Sequence, residues 1–373
     1  MSEQPGHSSG ATYEAAGVSI DAGDRAVELM KVWVDKARRP EALGGIGGFA
    51  GLFDASALKR MRQPLLATSA DGVGTKVAIA QAMDVHHTIG FDLVGMLVDD
   101  LVVCGAEPLF LTDYIATGRV VPERVAAIVQ GIAEACVQAG CALVGGETAE
   151  HPGLLGPDEY DVAGSTTGVV EAADLLGPGR VVPGDVVVAM GSSGLHSNGY
   201  SLVRHVLLDQ DSGAGLSLDR HVDELGRTLG EELLEPTMIY AKACLDLVRT
   251  LGPGSAHALS HVTGGGLAAN LERVLPDSVA VTVDRGTWTP QPVFDLVRRA
   301  GSVETADLER TLNCGVGMVA VVAAEDAERA VVLLQGHGID AWVCGHVGRH
   351  DPAAPRDSAA PGSVTLIGAH PGW

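Results

Sequence analysis

Short apolar runs alternate with longer segments of helical periodicity along most of this chain. Val27, Met30 and Val34 fall on one face of segment 21–38, which predicts a helix there. Proline in the first turn predicts a further helix over 122–139. The remaining pattern predicts strands over 65–69, 109–115, 142–144, 162–170, 186–190, 257–262, 316–322 and 341–347, and helices over 91–103, 200–208 and 267–274. Strands alternating with crossing helices predict a mixed α/β (α+β) fold.

Glycine and proline interrupt this pattern between Glu171 and Gly184, which predicts a domain boundary. The chain has 373 residues, of which 46% are hydrophobic, enough for two cores. We therefore expect an N-terminal sheet-and-helix domain over 13–171 and a C-terminal α/β layered domain over 172–350. Composition predicts a disordered arm over 1–12 and a flexible tail over 351–373.

Acidic residues outnumber basic ones by 47 to 25, for a formal charge of −22. Such a surface repels nucleic acid and anionic membrane, so neither is an expected partner. The six cysteines are scattered without a C-x-x-C pair, which favours reduced thiols over zinc ligands. No secretory segment follows Met1 and no apolar run reaches membrane-spanning length. We therefore expect a soluble, cytoplasmic protein.

Two apolar runs stop at an acid flanked by glycine: Asp71 after 64–70 and Glu147 after 141–146. A third acidic position, Asp99-Asp100, lies inside an apolar stretch, so one of its carboxylates should point into a polar cavity. Burying an acid is costly unless a cation neutralises it. Mg²⁺ with a polyphosphate is the expected partner, because it takes oxygen ligands and shares them with phosphates.

Glycine-rich segments offer amides for anions, each with a plainer alternative. Segment 72–76, Gly-Val-Gly-Thr-Lys, lacks Walker A spacing but could direct amides and Lys76 at phosphate, or could be a surface hairpin turn. Segment 44–51 could be a mobile loop over a nucleotide or a linker. Thr263–Gly266 precedes a predicted helix and could bind an anion or form a tight turn. His196 lies in a strand-to-helix loop, where it is either structural or a ligand contact.

Taken together, these segments resemble the phosphoribosylformylglycinamidine cyclo-ligase family of purine biosynthesis, which uses ATP without a Walker loop. The resemblance runs from about Tyr13 to about Gly348 and is strongest in segments 16–23, 71–76, 105–109, 145–150, 191–202, 261–266 and 313–318. It implies a homodimer whose contacts come mostly from the N-terminal half. It also implies that ATP activates the formyl amide oxygen of formylglycinamidine ribonucleotide, after which the amidine nitrogen closes the imidazole ring.

The same resemblance implies roles for individual residues. Mg²⁺–ATP would be held by Asp71, Asp100 and Glu147, with Lys76 on the phosphates. Further nucleotide contacts would come from Gly45, Gly47, Gly48, Gly72, Gly74 and Thr75. The ribose 5′-phosphate would lie on the amides of Gly264, Gly265 and Gly266. The reacting amide or amidine would be oriented by His196 and Asn198, with Ser193 and Ser197 beside them.

The chain departs from the family at several positions. Glu14 replaces a frequent Lys and Asp99 a frequent Asn, which adds a negative charge near the metal site; the other departures are Ser19, Leu195 and Leu312. Related families fit less well. Selenophosphate synthetase needs an early cysteine, whereas the first here is Cys104, and the hydrogenase maturation factor needs a C-terminal cysteine, whereas this chain ends in Trp373.

Two alternatives remain beside these. Thiamine-monophosphate kinase lacks the pattern of segment 192–200. A catalytically inactive binding or scaffold subunit would not need Asp71, Lys76, Asp100 and Glu147, all of which are present.

Overall fold

The computed structural model describes residues 13, 17–45, 48–252, 254–350 and 362–373. The predicted arm over 1–12 and Gly47 lie outside these residues. The first half of the chain contains α1 (Ile20–Lys36), β1 (Ala42–Leu43), β2 (Leu52–Phe53), β3 (Pro64–Gly72), α2 (Val77–Met83), α3 (Thr88–Val102), β4 (Glu107–Thr117), α4 (Pro122–Ala139), β5 (Ala142–Glu150) and β6 (Tyr160–Glu171). The predicted helices and strands of this half are all present, with ends that differ by up to three residues, except that β5 continues to Glu150.

The second half begins at residue 172 and contains a larger set of elements. They are β7 (Val186–Gly191), α5 (Tyr200–Leu208), β8 (His221–Val222), β9 (Arg227–Thr228), α6 (Leu229–Leu233), α7 (Ala241–Leu251), β10 (Ala256–His261), α8 (Gly266–Glu272), β11 (Val279–Asp284), α9 (Pro292–Gly301), α10 (Thr305–Thr311), β12 (Val316–Val322), α11 (Ala327–Gly336), β13 (Ala341–Arg349) and β14 (Ser363–Ile367). Among the described helices, none is both long and apolar enough to cross a lipid bilayer.

The first half forms a four-stranded sheet in the order β3-β6-β4-β5. β4 and β5 are parallel and joined by α4, whereas the other neighbours are antiparallel. α3 packs on one face of this sheet, against β3, β4 and β6. The opposite face leaves large apolar side chains in solvent, with Leu66 66% and Tyr114 40% exposed.

α3 lies at the centre of the first half and is buried along nearly its whole length. It crosses α4 at Gly90, where an added Cβ would lie 2.2 Å from the Ile132 amide nitrogen. On the other side of the crossing, a Cβ on Gly131 would lie 1.8 Å from the His87 carbonyl oxygen. Only glycine permits this approach of the two backbones, so these residues fix where α3 lies under the sheet.

The second half forms a six-stranded sheet in the order β10-β12-β7-β13-β11-β14. Every residue of β12 is buried, as expected for a central strand covered on both faces. One apolar core runs without interruption from the first half into the second and includes Leu93, Leu195, Tyr240 and Met318. The mixed α/β fold predicted from the sequence is confirmed; the two halves share this core, and a second core lies within the second half.

The predicted flexible tail is wrong for its final part. Residues 351–361 lie outside the described residues, but Ser363–Ile367 forms β14 and pairs in parallel with β11. Val364 and Leu366 pack against the apolar core of this sheet. Alternating β-branched and apolar residues explain the strand, whereas the prediction had extended the Pro/Ala/Ser-rich composition of 351–361 to the chain end.

Candidate functional site

Two carboxylates meet where the first sheet adjoins the second half. Asp71 is the penultimate residue of β3 and is half-buried, and its Oδ1 accepts a hydrogen bond from the Gly72 amide at 2.7 Å. Burial raises the pKa of Asp71, and the nearby negative charge of Asp100 adds to this rise. The structure therefore brings together two of the three predicted metal-binding acids, Asp71 and Asp100.

His261, at the end of β10, joins this pair and was not predicted as a site residue. Its Nδ1 lies 2.9 Å from Asp100 Oδ1, and its side chain is 2% exposed against 42% for Asp100. Its Nε2 is buried without a hydrogen-bond partner among the described residues. A ring held in this way orients the Asp100 carboxylate. The signal in the sequence was a histidine two positions before Thr263 of the Thr263–Gly266 segment.

Asp99 lies on a different side of α3 from Asp100, because adjacent residues of a helix are about 100° apart around its axis. It is fully buried, and its Oδ1 accepts a hydrogen bond from the Tyr240 amide at 3.0 Å. Burial raises the pKa of Asp99 to about 7. The expectation that one of the two acids points into a polar cavity fits Asp100, whereas Asp99 lies within the interface between the halves.

The structure turns Lys76 into the interior, away from the surface where its assignment to phosphate would place it. Its side chain is fully buried, and Nζ donates to Asp92 Oδ1 at 2.8 Å, the His196 carbonyl at 2.9 Å and the Glu235 carbonyl at 2.6 Å. An ammonium group has three N–H donors, so all of them are used inside the protein. Asp92 Oδ1 also accepts from the Thr237 amide and hydroxyl. Lys76 therefore ties the two halves together.

The loop after β7 is held by hydrogen bonds to several elements. Ser193 Oγ donates to the Pro236 carbonyl at 2.6 Å, and Ser197 Oγ donates to the Val73 carbonyl at 2.7 Å. His196 is buried with a positive φ of 58°, and its Nε2 accepts from the Ser193 amide at 3.2 Å. Burial holds the pKa of His196 well below its usual range, so the ring is neutral.

Asn198 connects this loop to the glycine segment before α8. Its Oδ1 accepts from the Gly264 amide at 3.2 Å, and its Nδ2 contacts Met96 Sδ at 3.4 Å. The Gly266 amide donates to the Thr263 carbonyl. Two of the three amides predicted to bind the ribose phosphate are thus engaged within the protein, which leaves Gly265, with a φ of +101°. The structure brings the two predicted substrate segments together but does not support three free amides.

Glu147 lies far from the other two acids, so the described residues of one chain do not bring the three predicted carboxylates together. Asp71 pairs across the sheet with Gly164, Gly164 with Asp113, and Asp113 with Gly146. Three strand spacings correspond to about 14 Å. Neighbouring residues of a strand point to opposite faces, so Glu147 faces away from the side that carries Asp71. Within the described residues, no group of three potential ligands could hold a metal ion.

The separation follows from two features of β5. This strand continues through Glu147 to Glu150 because it pairs with β4 along that length, whereas the sequence had predicted that it stops at the acid. The parallel connection through α4 also places β5 at the edge opposite β3. Asp113, which was not predicted, is the buried acid of this row, and burial raises its pKa to about 7.

The remaining predicted nucleotide contacts lie on the surface near the two carboxylates or in the N-terminal loop. Gly74 has a φ of +72° and begins the 3₁₀ turn Gly74–Lys76. Thr75 Oγ1 lies 3.3 Å from Ser201 Oγ, across the boundary between the halves. Gly45 and Gly48 are exposed. Nothing in the structure contradicts a nucleotide contact by these residues.

Family comparisons cover both halves of the chain. Residues 53–170 match the family described as AIR synthase related protein, N-terminal domain, and residues 182–354 match the corresponding C-terminal domain. A phosphoribosylformylglycinamidine cyclo-ligase of Syntrophotalea carbinolica is 48% identical over 338 residues, covering 91% of this chain and 95% of that protein. The relative of the same name from an Anaeromyxobacter species is 51% identical over 337 residues, covering 90% and 95%.

Solved structures show the same fold at lower identity. Thiamine-monophosphate kinase from Stenotrophomonas maltophilia aligns with a TM-score of 0.64 at 20% identity, covering 94% of this chain and 98% of that one. The hydrogenase maturation protein HypE in complex with ATP aligns with a TM-score of 0.62 at 20% identity, covering 93% and 91%. The long alignments at about half identity decide between these families: the chain belongs to the phosphoribosylformylglycinamidine cyclo-ligase family.

Proposed function

We propose that this chain catalyses the ATP-dependent cyclisation of formylglycinamidine ribonucleotide to aminoimidazole ribonucleotide, releasing ADP and phosphate. The observation that carries the proposal is the pair of carboxylates Asp71 and Asp100, which lies beside the loops that contain Asn198 and Gly264. Phosphoryl transfer and ring closure ask mainly for positioning and charge neutralisation. A site between two rigidly connected halves can provide both.

Magnesium fits the two carboxylates. Asp71 and Asp100 offer oxygen ligands, and the charge of one raises the pKa of the other, so a cation between them would relieve their repulsion. When bound, the ion would neutralise charge on the nucleotide phosphates. His261 would keep Asp100 oriented for it. Gly74 and Thr75 would contact the nucleotide, together with Gly45, Gly47 and Gly48.

The ribonucleotide would occupy the other side of the same site. The Gly265 amide, beside Gly264 and Gly266, would contact the ribose 5′-phosphate. Ser193, Ser197 and Asn198 fix the loop that would orient the reacting amide and amidine. Holding the nucleophilic nitrogen against the activated carbon supplies the main advantage for an intramolecular ring closure. The neutral His196 ring supports this loop from inside.

A homodimer would reconcile Glu147 with the other acids. Glu147 lies on the face of the first sheet that leaves Leu66 and Tyr114 in solvent. A second copy packed on this face would cover those side chains and would bring its own Glu147 to the interface. We propose that Glu147 contributes to a site of the neighbouring copy, whereas Asp71 and Asp100 act within their own chain.

Mixed dimers test this sharing directly. If the site combines Asp71 of one copy with Glu147 of the other, Asp71→Asn and Glu147→Gln are each inactive as homodimers. Co-expression of the two variants would regenerate one intact site per mixed dimer, giving about a quarter of the wild-type activity in a statistical mixture. If both acids served one chain, every mixed dimer would stay inactive. Separate tags on the two variants would isolate the mixed species.

The decisive test of the proposed activity is incubation with ATP, Mg²⁺ and formylglycinamidine ribonucleotide, followed by a colour test for the aminoimidazole. Product should form only when all three are present, with ADP released in equal amount. Thiamine monophosphate in place of the ribonucleotide is the control for the structurally similar kinase. Product from that control, with none from the ribonucleotide, would reject the assignment. Cytoplasmic location and the lack of nucleic-acid or membrane partners stay predictions from the sequence.

A further inference from the structure

The C-terminal segment, residues 363–373, docks on the second half beyond the point where the family match ends at residue 354. Its first part is β14, which pairs in parallel with β11 from Ala280–Ser363 to Asp284–Ile367. Its last part carries His370, which is 3% exposed. The proposed function gives this segment no role, yet His370 is buried among mostly exposed residues near its end.

The segment is fixed to one buried carboxylate, Glu309 of α10. Arg285 donates through Nε and Nη2 to the two oxygens of Glu309, at 2.6 and 2.7 Å. The same guanidinium donates through Nη1 to the Leu366 carbonyl at 2.7 Å. His370 Nε2 lies 3.1 Å from Glu309 Oε1. Bidentate and charge-assisted bonds of this kind are among the stronger ones in proteins, so α10 and the chain end form one rigid unit.

Aromatic contacts hold His370 in place from both sides. Its ring lies 4.7 Å from that of Trp288 and 4.6 Å from that of Trp373, with interplanar angles of 70° and 67°. The Arg298 guanidinium lies 5.6 Å from the centre of the Trp373 ring. Edge-to-face contacts and a cation–π contact both favour this arrangement. The chain end therefore has a defined position, set by Trp288, which follows β11, and by Arg298 of α9.

α10 in turn touches both loops of the proposed ribonucleotide site. A Cβ on Gly266 would lie 1.7 Å from the Glu309 carbonyl oxygen. A Cβ on Gly199 would lie 3.0 Å from the Thr311 carbonyl oxygen and 2.3 Å from Leu312 Cδ2. Both loops thus rest with their backbones directly on α10. A displacement of this helix would therefore move both loops, because Gly266 rests on the Glu309 backbone and Gly199 is packed tightly against Thr311 and Leu312.

Asn313, two residues after the end of α10, extends this contact to the start of loop 192–199. Its Nδ2 donates to the Gly194 carbonyl at 2.9 Å, and its Oδ1 accepts from Ser192 Oγ at 3.1 Å. Oδ1 also accepts from the Gly315 amide at 2.8 Å. The position of the helix therefore sets both ends of the loop, Ser192 and Gly199.

We propose that the C-terminal segment is a clamp that fixes α10 and thereby sets the positions of loops 192–199 and 263–266. The assignment of these loops to the ribonucleotide rests on the proposed function, whereas the mechanical coupling does not. His370 is a positioning residue in this scheme, since it acts on the site through Glu309 and α10.

Three variants, two at His370 and one at the chain end, distinguish a clamp that positions the loops from a segment that only stabilises the fold. His370→Phe keeps a ring between Trp288 and Trp373 but removes the donor to Glu309, whereas His370→Gln retains an amide donor. His337→Phe is the matched control, because it removes a histidine–carboxylate contact, 2.9 Å to Asp246, from an exposed part of the second half. Deletion of residues 369–373 removes both rings of the clamp and serves as a second variant should His370→Phe fold poorly.

Amide hydrogen exchange is the primary measurement, with peptides covering 192–199, 262–268 and β6 as an internal reference. In His370→Phe and in the deletion we expect exchange in the two loops to accelerate about tenfold. His370→Gln, His337→Phe and the β6 peptide should stay near wild type. Unchanged loop exchange in both His370→Phe and the deletion would overturn the clamp, and so would equal acceleration in β6, since that would indicate only general destabilisation.

Steady-state kinetics then test whether the two loops bind the ribonucleotide. The KM for the ribonucleotide should rise about tenfold in His370→Phe, while the KM for ATP stays unchanged. Faster loop exchange without any change in the ribonucleotide KM would support the clamp and would instead contradict the assignment of the two loops to the ribonucleotide. The two proposals can therefore fail separately.

Discussion

Replacing Asp71 with asparagine is expected to lower kcat about a thousandfold while leaving the fold intact, because charge stabilisation near transferred phosphate is a large catalytic effect. Asparagine retains the side-chain oxygen that accepts from the Gly72 amide, so the end of β3 keeps its local hydrogen bond. It removes only the negative charge. Steady-state rates at saturating ATP and ribonucleotide, with a thermal melt of each variant, measure the effect.

Asp161→Asn is the control for this change. Asp161 lies in the same sheet, on β6, and its Oδ1 likewise accepts from the next amide, that of Val162, at 2.9 Å. It is exposed and lies outside the proposed site. Its rate should match wild type. Near-normal turnover in Asp71→Asn would remove Asp71 from the phosphate-transfer machinery.

Replacing Lys76 with methionine is expected to destabilise the protein by about 3–5 kcal/mol, the usual effect of removing one partner from a buried ion pair. Asp92 would lose its cationic partner in a fully buried position, and the His196 and Glu235 carbonyls would each lose a donor. Urea unfolding, followed by the shift of the midpoint, measures the loss.

A second variant and a control identify the cause. Lys76→Met combined with Asp92→Asn should be less destabilised than Lys76→Met alone, since the amide keeps an acceptor for Thr237 without the unpaired charge. Lys242→Met removes an exposed lysine that donates to the Val137 carbonyl at 2.9 Å and should change the midpoint little. A phosphate-binding role for Lys76 would predict the reverse: lost activity with unchanged stability.

Periodicity alone predicted most strands and helices near the site, because the alternation of apolar and polar residues depends on which face of each element is buried. The grouping of Asp71 with Asp100 came from the family resemblance, whereas the residues alone predicted only that a buried acid needs a polar or cationic partner. Lys76 could not be placed in this way. Its partners, Asp92 and the Glu235 carbonyl, are distant in the sequence. The sequence of a glycine-rich loop is also the same whether the ammonium group of its lysine faces phosphate or the interior.

The order of the strands in the first sheet was the other feature that the sequence could not predict. The residues around Glu147 predict a strand and an acid, but they do not say that β5 lies at the edge opposite β3. That arrangement follows from the parallel pairing of β4 and β5, which only the packed sheet shows. His261 and Asp113 were missed for a related reason, since the environment of each depends on residues of other elements: Asp100 contacts His261, and the neighbouring strands flank Asp113.

The lysine buried between the halves has a consequence for how ligands enter. A hinge motion that swung the two sheets apart would pull Nζ of Lys76 away from the His196 and Glu235 carbonyls, and Asp92 away from Thr237, and would leave buried polar groups without partners. A hinge motion of this kind is therefore too costly to accompany each catalytic cycle. Reactants must instead come and go past short surface loops, over a framework that stays closed throughout turnover.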